Sequence, residues 1–246
     1  MPNILVNGDS FSYERHFAID ESYVEKTWAH AIGANNIALG GCSNDRIFYS
    51  TIEYLNENSV DVLVIGWTSF ERYSLPLNKG LNLHLLPSGA ADDNLFGFNE
   101  QDKNSYMSYH SFYYKNCHNI FLNFQKFLNY YLHLQDYCNI KKIKFLNFLS
   151  LDVFPYRSKD VKNIAKDAYM DRSSKEIEQA GIIYNTNLLT NLIKKINTKN
   201  WIQNTVGFSY AKLVKDKGLP LWKDGHPGLE ASKYWGELIQ QHIVKY

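Results

Sequence analysis

The stretch that most constrains this chain is Asn3-Ile4-Leu5-Val6-Asn7-Gly8-Asp9-Ser10-Phe11-Ser12, a short apolar run that passes straight into Gly-Asp-Ser. It predicts a strand with a serine at its carboxyl end. In an open α/β sheet, loops leaving the carboxyl ends of parallel strands converge over one crevice, where ligands and chemistry sit. Gly8 permits a tight turn there, and Ser10 would stand near the first backbone N–H groups of whatever follows. Gly, Asp and Ser also dominate ordinary turns. The functional reading gains weight from a second cluster at the far end of the chain, Asp224-Gly225-His226-Pro227-Gly228.

A serine hydroxyl is a weak nucleophile at neutral pH and needs a neighbouring base, most often histidine, to take its proton. The base needs an acceptor on its other ring nitrogen, and Asp224 is close enough to His226 to share one loop and fix the imidazole tautomer. Ser10, His226 and Asp224 are therefore the candidate nucleophile, base and orienting acid. Asp9 is expected to brace the turn. An oxyanion needs two or three donors aimed at one point. The candidates are the backbone N–H groups of Ser10 and Gly41, with Thr68 as a hydroxyl donor. Arg72 stands four residues on, placed either to bind an acidic part of a substrate or to pair with Glu71 or Asp45. Asn44 is expected to cap a helix, and nothing in the sequence pairs Cys42 with a base.

Along the chain, residues 21–32 carry Val24, Trp28, Ala31 and Ile32 on one helical stripe closed by Gly33. Asn36 to Leu39 reads as a second strand. Ser43 is an N-cap for a helix carrying Ile47, Phe48, Thr51, Ile52 and Leu55. Val60 to Ile65 is a nearly continuous aliphatic run, the pattern of a parallel strand covered on both faces. This alternation predicts a doubly wound sheet. Residues 73–110, punctuated by Pro76, Gly80, Pro87, Gly89 and Gly97, read as a substrate-facing insertion in one domain spanning 1–246, with His84 and His110 as polar surface groups. A long helix over 112–138, a strand over 143–149, helical and charged sequence over 158–197 and a short strand over 200–203 follow. The last helix begins near Pro227 and buries Ala231, Tyr234, Trp235, Leu238 and Ile239.

Four separated blocks resemble the SGNH (GDSL-type) serine hydrolases. Gly8-Asp9-Ser10-Phe11-Ser12 matches the nucleophile block. Gly41, within Asn36 to Asn44, matches the glycine whose N–H helps bind the oxyanion. In Val62 to Ser69, Thr68 stands where the family carries its oxyanion asparagine. Asp224 and His226 match the remaining triad members, with one residue fewer between them than the common spacing. The resemblance implies a three-layer, flavodoxin-like α/β fold with a central parallel sheet flanked by helices. It also implies ester hydrolysis through an acyl-enzyme, with an O-acetyl carbohydrate as one substrate class. The alternative from another class is a catalytically weakened binding or structural module, virion or surface-associated, which the threonine at position 68 favours.

Composition limits the other classes. Lys and Arg number 26 against 25 Asp and Glu, so no net field recruits nucleic acid or an anionic membrane. Cys42, Cys117 and Cys138 stand at no metal-ligand spacing, so neither a zinc site nor any other metal or cofactor is expected. No apolar run approaches the roughly 18 residues of a membrane span, and no basic-then-apolar leader opens the chain. These features lead to the expectation of a cytoplasmic start, compatible with virion association, and of small-molecule or carbohydrate ester partners.

Overall fold

The structure, a computed structural model, describes residues 2–13, 15–16, 24–25, 27–76, 82–85, 100–151, 186–221 and 225–244. Its centre is the run Val62–Trp67 (β3), buried at every position. A strand covered on both faces has parallel neighbours. Ile4–Gly8 (β1) pairs with it on one side and Lys144–Leu149 (β4) on the other, both parallel, while Asn35–Asn36 (β2) adds outside β1. The order β2-β1-β3-β4 is that of a flavodoxin-like doubly wound sheet.

The period-2 alternation of β3 divides the core into two layers. Leu63, Ile65 and Trp67 face one layer, with Ile47 and Leu55 of α2 (Asn44–Glu57), Phe127, Leu128, Tyr131 and Leu134 of α4 (Ile120–Lys141), and Leu189 and Ile193 of α5 (Thr186–Lys194). Val62 and Val64 face the other, with Trp28 of α1 (Trp28–Ala31), Tyr210 and Val214 of α6 (Tyr210–Lys217), and Ala231, Trp235 and Ile239 of α7 (Leu229–Val244). The result is the expected three-layer α/β fold. Each such aliphatic side chain contributes about 1.5–3 kcal/mol of burial, so the sheet is the rigid base on which the loops at its carboxyl edge rest.

Several local expectations change. Val24, read as helical, lies in an extended pair with His16, and α1 begins only after Thr27, whose ψ of 172° is extended. Gly33 does close that helix, at a φ of 68°. Within residues 73–110, read as a substrate-facing insertion, the described residues take regular structure. Tyr73–Pro76 pairs antiparallel with Asn82–Leu85, and Glu100–Phe112 forms α3. The long helix over 112–138 is two helices, because a π-helical turn at Tyr113–Cys117 ends in an extended His118 before α4 starts. His110 is buried at 8% exposure, its ring 4.7 Å from Tyr114, so it is not a surface group. The strand expected over 200–203 is reduced to a bridge between Trp201 and Asn147, since Gln203 and Asn204 turn left-handed at φ near 55° and cannot continue an extended run. Tyr234 of α7 is 37% exposed where the stripe placed it inside. Residues 152–185, and with them most of the 158–197 region, lie outside the described residues, as does the side chain of His84.

Candidate active site

β1 ends on Gly8, which lies in register with Gly66 of β3. Neither can carry a Cβ. At Gly8 it would come within 2.7 Å of Ser12 Oγ and 2.9 Å of the Gly66 carbonyl, and at Gly66 within 2.7 Å of the Phe148 ring. The paired glycines let the Ser10 turn settle directly on the sheet. Ser12 and Tyr13 N–H groups close that turn onto the Asp9 carbonyl at 2.9 and 3.0 Å. Side chains from outside then anchor it. Trp28 Nε1–H donates to the Phe11 carbonyl at 3.1 Å, while Thr27 Oγ1 and Asn36 Nδ2 donate to that of Ser12 at 3.4 and 2.7 Å.

Against this turn stands His226, its Nε2 2.9 Å from Ser10 Oγ across 216 residues of sequence. Its loop is fixed from several directions. Pro227 forms an antiparallel bridge with Leu221, Gly228 N–H donates to the Pro220 carbonyl at 3.0 Å, and α7 follows. A base at this place accepts the serine proton on Nε2 and keeps its hydrogen on Nδ1. Asp224, the residue expected to receive that hydrogen, lies outside the described residues.

Asp9 is fully buried. Its Oδ1 accepts from Phe11 N–H at 3.0 Å, and its Oδ2 accepts from Thr68 Oγ1 at 2.6 Å and Arg72 Nη1 at 3.2 Å. A buried carboxylate persists only when paired and hydrogen-bonded, and Arg72, its side chain 13% exposed, supplies the countercharge. The expected bracing role of Asp9 is thus given a full set of partners. Thr68 is brought to the site, but its hydroxyl hydrogen points at Asp9, leaving only lone pairs that cannot donate to an oxyanion. For Arg72 the sequence left open an acidic substrate or a pairing with Glu71 or Asp45; among the described residues its ion pair is with Asp9. Its partner is the residue preceding Ser10.

The glycine doublet lies on the other side. A Cβ on Gly40 would lie 4.0 Å from Ser10 Cβ and 3.7 Å from the Tyr13 ring. Gly41, singled out from the sequence, adopts a φ of 74° that favours glycine. Ser43 caps α2 by accepting from Arg46 N–H. Asn44 does not cap. Its Oδ1 and Nδ2 clasp the backbone N–H and carbonyl of Thr68 at 2.9 and 3.1 Å. Cys42, beneath the doublet, donates its thiol to the Gly8 carbonyl at 3.4 Å. Burial, reinforced by the Asp9 charge, pushes that thiol up to about 12, so it is protonated and inert.

Asn7 carried no assignment from the sequence; the two hydrogens of its Nδ2 are shared among Ile47 O, Ser50 Oγ and Thr51 Oγ1 of α2. An amide in an otherwise apolar strand was the available signal, because buried polar groups are hydrogen-bonded. Trp28, Thr27 and Asn36 left no such signal, since their contacts with the turn are purely tertiary. Among the described residues, no cluster of His, Cys, Asp and Glu is arranged to hold a metal ion, and no helix is long and apolar enough to cross a membrane.

No protein-family model matches the sequence, and no curated protein matches it. Solved structures do. A G-D-S-L family protein from Desulfitobacterium hafniense is 10% identical, with 98% of this chain and 99% of that one aligned at a TM-score of 0.42. A GDSL-like lipase from Bacteroides thetaiotaomicron is 12% identical, with 99% of this chain and 88% of that one aligned, also at 0.42. Both are among the solved structures to which the chain is similar.

Proposed function

We propose that the chain is a serine hydrolase that cleaves an ester through an acyl-enzyme. The observation that carries this reading is the 2.9 Å approach of His226 Nε2 to Ser10 Oγ at the carboxyl end of β1. That distance lies within the reach a base needs to take the nucleophile's proton. Ser10 Oγ attacks the ester carbonyl carbon as its proton passes to Nε2, forming a tetrahedral oxyanion. The carbon–oxygen bond to the alcohol then breaks, and Nε2 returns the proton to the leaving oxygen. Water enters, gives a proton to Nε2, attacks the acyl carbon, and the acid leaves as Ser10 recovers its hydrogen. Asp224 holds Nδ1–H in this scheme. The oxyanion rests on backbone donors, Ser10 and Gly41 N–H, because the Thr68 hydrogen faces Asp9. Arg72 and Thr68 act from behind, keeping Asp9 and thereby the turn in place. An O-acetyl group on a carbohydrate is the substrate we assign.

The same orientation of Thr68 favours a second reading, a binding or structural module with weakened turnover, since a side-chain donor is missing from the hole. A fluorophosphonate probe separates the two. Labelling of the folded protein that disappears in Ser10→Ala, with an unchanged circular dichroism spectrum, supports the hydrolase. Labelling that persists in Ser10→Ala, or that mass spectrometry places on another residue, overturns it. Deacetylation of an acetylated sugar faster than of p-nitrophenyl acetate supports the carbohydrate assignment.

A further inference from the structure

We infer that Phe11 is a positioning residue for His226, so that one turn carries both the nucleophile and the lateral wall of its base. The inference rests on the hydrolase reading above and adds a residue to it. The Phe11 ring lies 5.3 Å from the imidazole, tilted by 48°. On its other side it meets Tyr210 edge-on at 5.9 Å, and Tyr210 stacks on Trp235 at 4.5 Å and 14°. Trp235 belongs to α7, the helix that His226 precedes. The chain of rings therefore closes a circuit from the Ser10 turn through α6 to the helix behind the base.

Phe11 suits this task because its backbone has little freedom. Its N–H is held by Asp9 Oδ1 at 3.0 Å and its carbonyl by the Trp28 indole at 3.1 Å. The ring is only partly buried, packing against the margin of the core layer instead of filling it. Hydrogen bonds alone leave an imidazole free to tilt about its Cα–Cβ bond, and a fixed ring packed beside it at a tilt restrains that freedom. The hydrogen bond to Ser10 is then kept at reactive length, which matters because small misplacements of a catalytic group lower rates by large factors. Residues 10 and 11 thus point their side chains to the two things the base must meet, a proton donor and a wall.

The test compares wild type, Phe11→Ala, Phe11→Tyr and Ile32→Ala, the last trimming the same layer away from His226. Steady-state hydrolysis of p-nitrophenyl acetate and the imidazole proton NMR signals of His226 are measured for each. We expect Phe11→Ala to lower kcat about tenfold with KM within about twofold, the signature of a displaced catalytic group and not of lost substrate contact. Its His226 signals should shift and broaden. Phe11→Tyr, which keeps the ring, and Ile32→Ala should resemble wild type. An unchanged kcat in Phe11→Ala, a rise in KM alone, or an equal loss in Ile32→Ala would overturn the inference. Should the wild type show no Ser10-dependent turnover, the hydrolase reading falls by itself. The NMR comparison then still decides the placement, and identical His226 signals in wild type and Phe11→Ala would refute it.

Discussion

Asp9 Oδ2 and Arg72 Nη1 stand 3.2 Å apart beneath the Ser10 turn, joining the residue before the nucleophile to the loop that leaves β3. Removing the cation strands a carboxylate in the interior, an error that costs about 3 kcal/mol or more. Arg72→Met should therefore lower the melting temperature by roughly 10 °C for a chain of this size. The double variant Asp9→Asn/Arg72→Met should recover part of that loss. Thermal unfolding of the three proteins checks this, and a single variant as stable as wild type would refute a structural role for the pair.

Thr68→Val keeps the shape of the side chain and deletes its hydrogen bond to Asp9. Hydrogen bonds to charged groups are worth about 1.5–3 kcal/mol, so stability should fall by that order. Because the hydroxyl hydrogen does not face the oxyanion, kcat should drop by less than about tenfold, well short of the hundredfold typical of a lost oxyanion donor. A hundredfold loss of kcat at unchanged stability would return Thr68 to the oxyanion hole.

His226→Ala should cost nearly as much activity as Ser10→Ala, since members of a catalytic unit act together and their effects do not add. The rate should decline toward acid pH, because only neutral imidazole can accept the serine proton. A pH–rate profile that is flat on the acid side contradicts this assignment of the base.

Alkaline pH should weaken the fold through two buried thiols. Burial raises Cys42 and Cys138 from 9.0 to about 12. Both stay protonated in the folded chain while the unfolded chain ionises above pH 9. Their stabilisation is therefore complete below that pH and is lost as pH rises from 9 toward 12, at about 1.4 kcal/mol per pH unit for each thiol. Urea unfolding at pH 8 and pH 10 should show a smaller alkaline loss in Cys42→Ala than in wild type. Equal losses would mean that the thiol titrates freely.

Lys142 holds a φ of 60° in the turn between α4 and β4. A side chain costs about 1 kcal/mol in that conformation, so Lys142→Gly should raise the melting temperature by about 2–4 °C. A drop on calorimetry would show that the lysine side chain contributes more than its backbone strain costs.

The sequence alone made the layered α/β class legible, because a run such as Val62 to Trp67, apolar at nearly every position, fits a parallel strand covered on both faces. It determined Ser10 and His226 as candidates, because strand-end serines and a Pro-restricted histidine loop are local patterns. The cap at Ser43 and the left-handed Gly33 were legible for the same reason. What the side chains around Ser10 do was decided only in three dimensions. Thr68 and Arg72 belong to Asp9 because burying that carboxylate demands partners wherever the fold can supply them, here from residues about sixty positions away. Asn44 clasps Thr68 and Phe11 walls His226 through distances that no spacing along the chain encodes. The break between α3 and α4 escaped the sequence too, since neither glycine nor proline marks the π-helical turn at Tyr113–Cys117 that ends in an extended His118. Local patterns name the groups able to do chemistry, and the need to satisfy buried charge and hydrogen bonds decides what each of them faces.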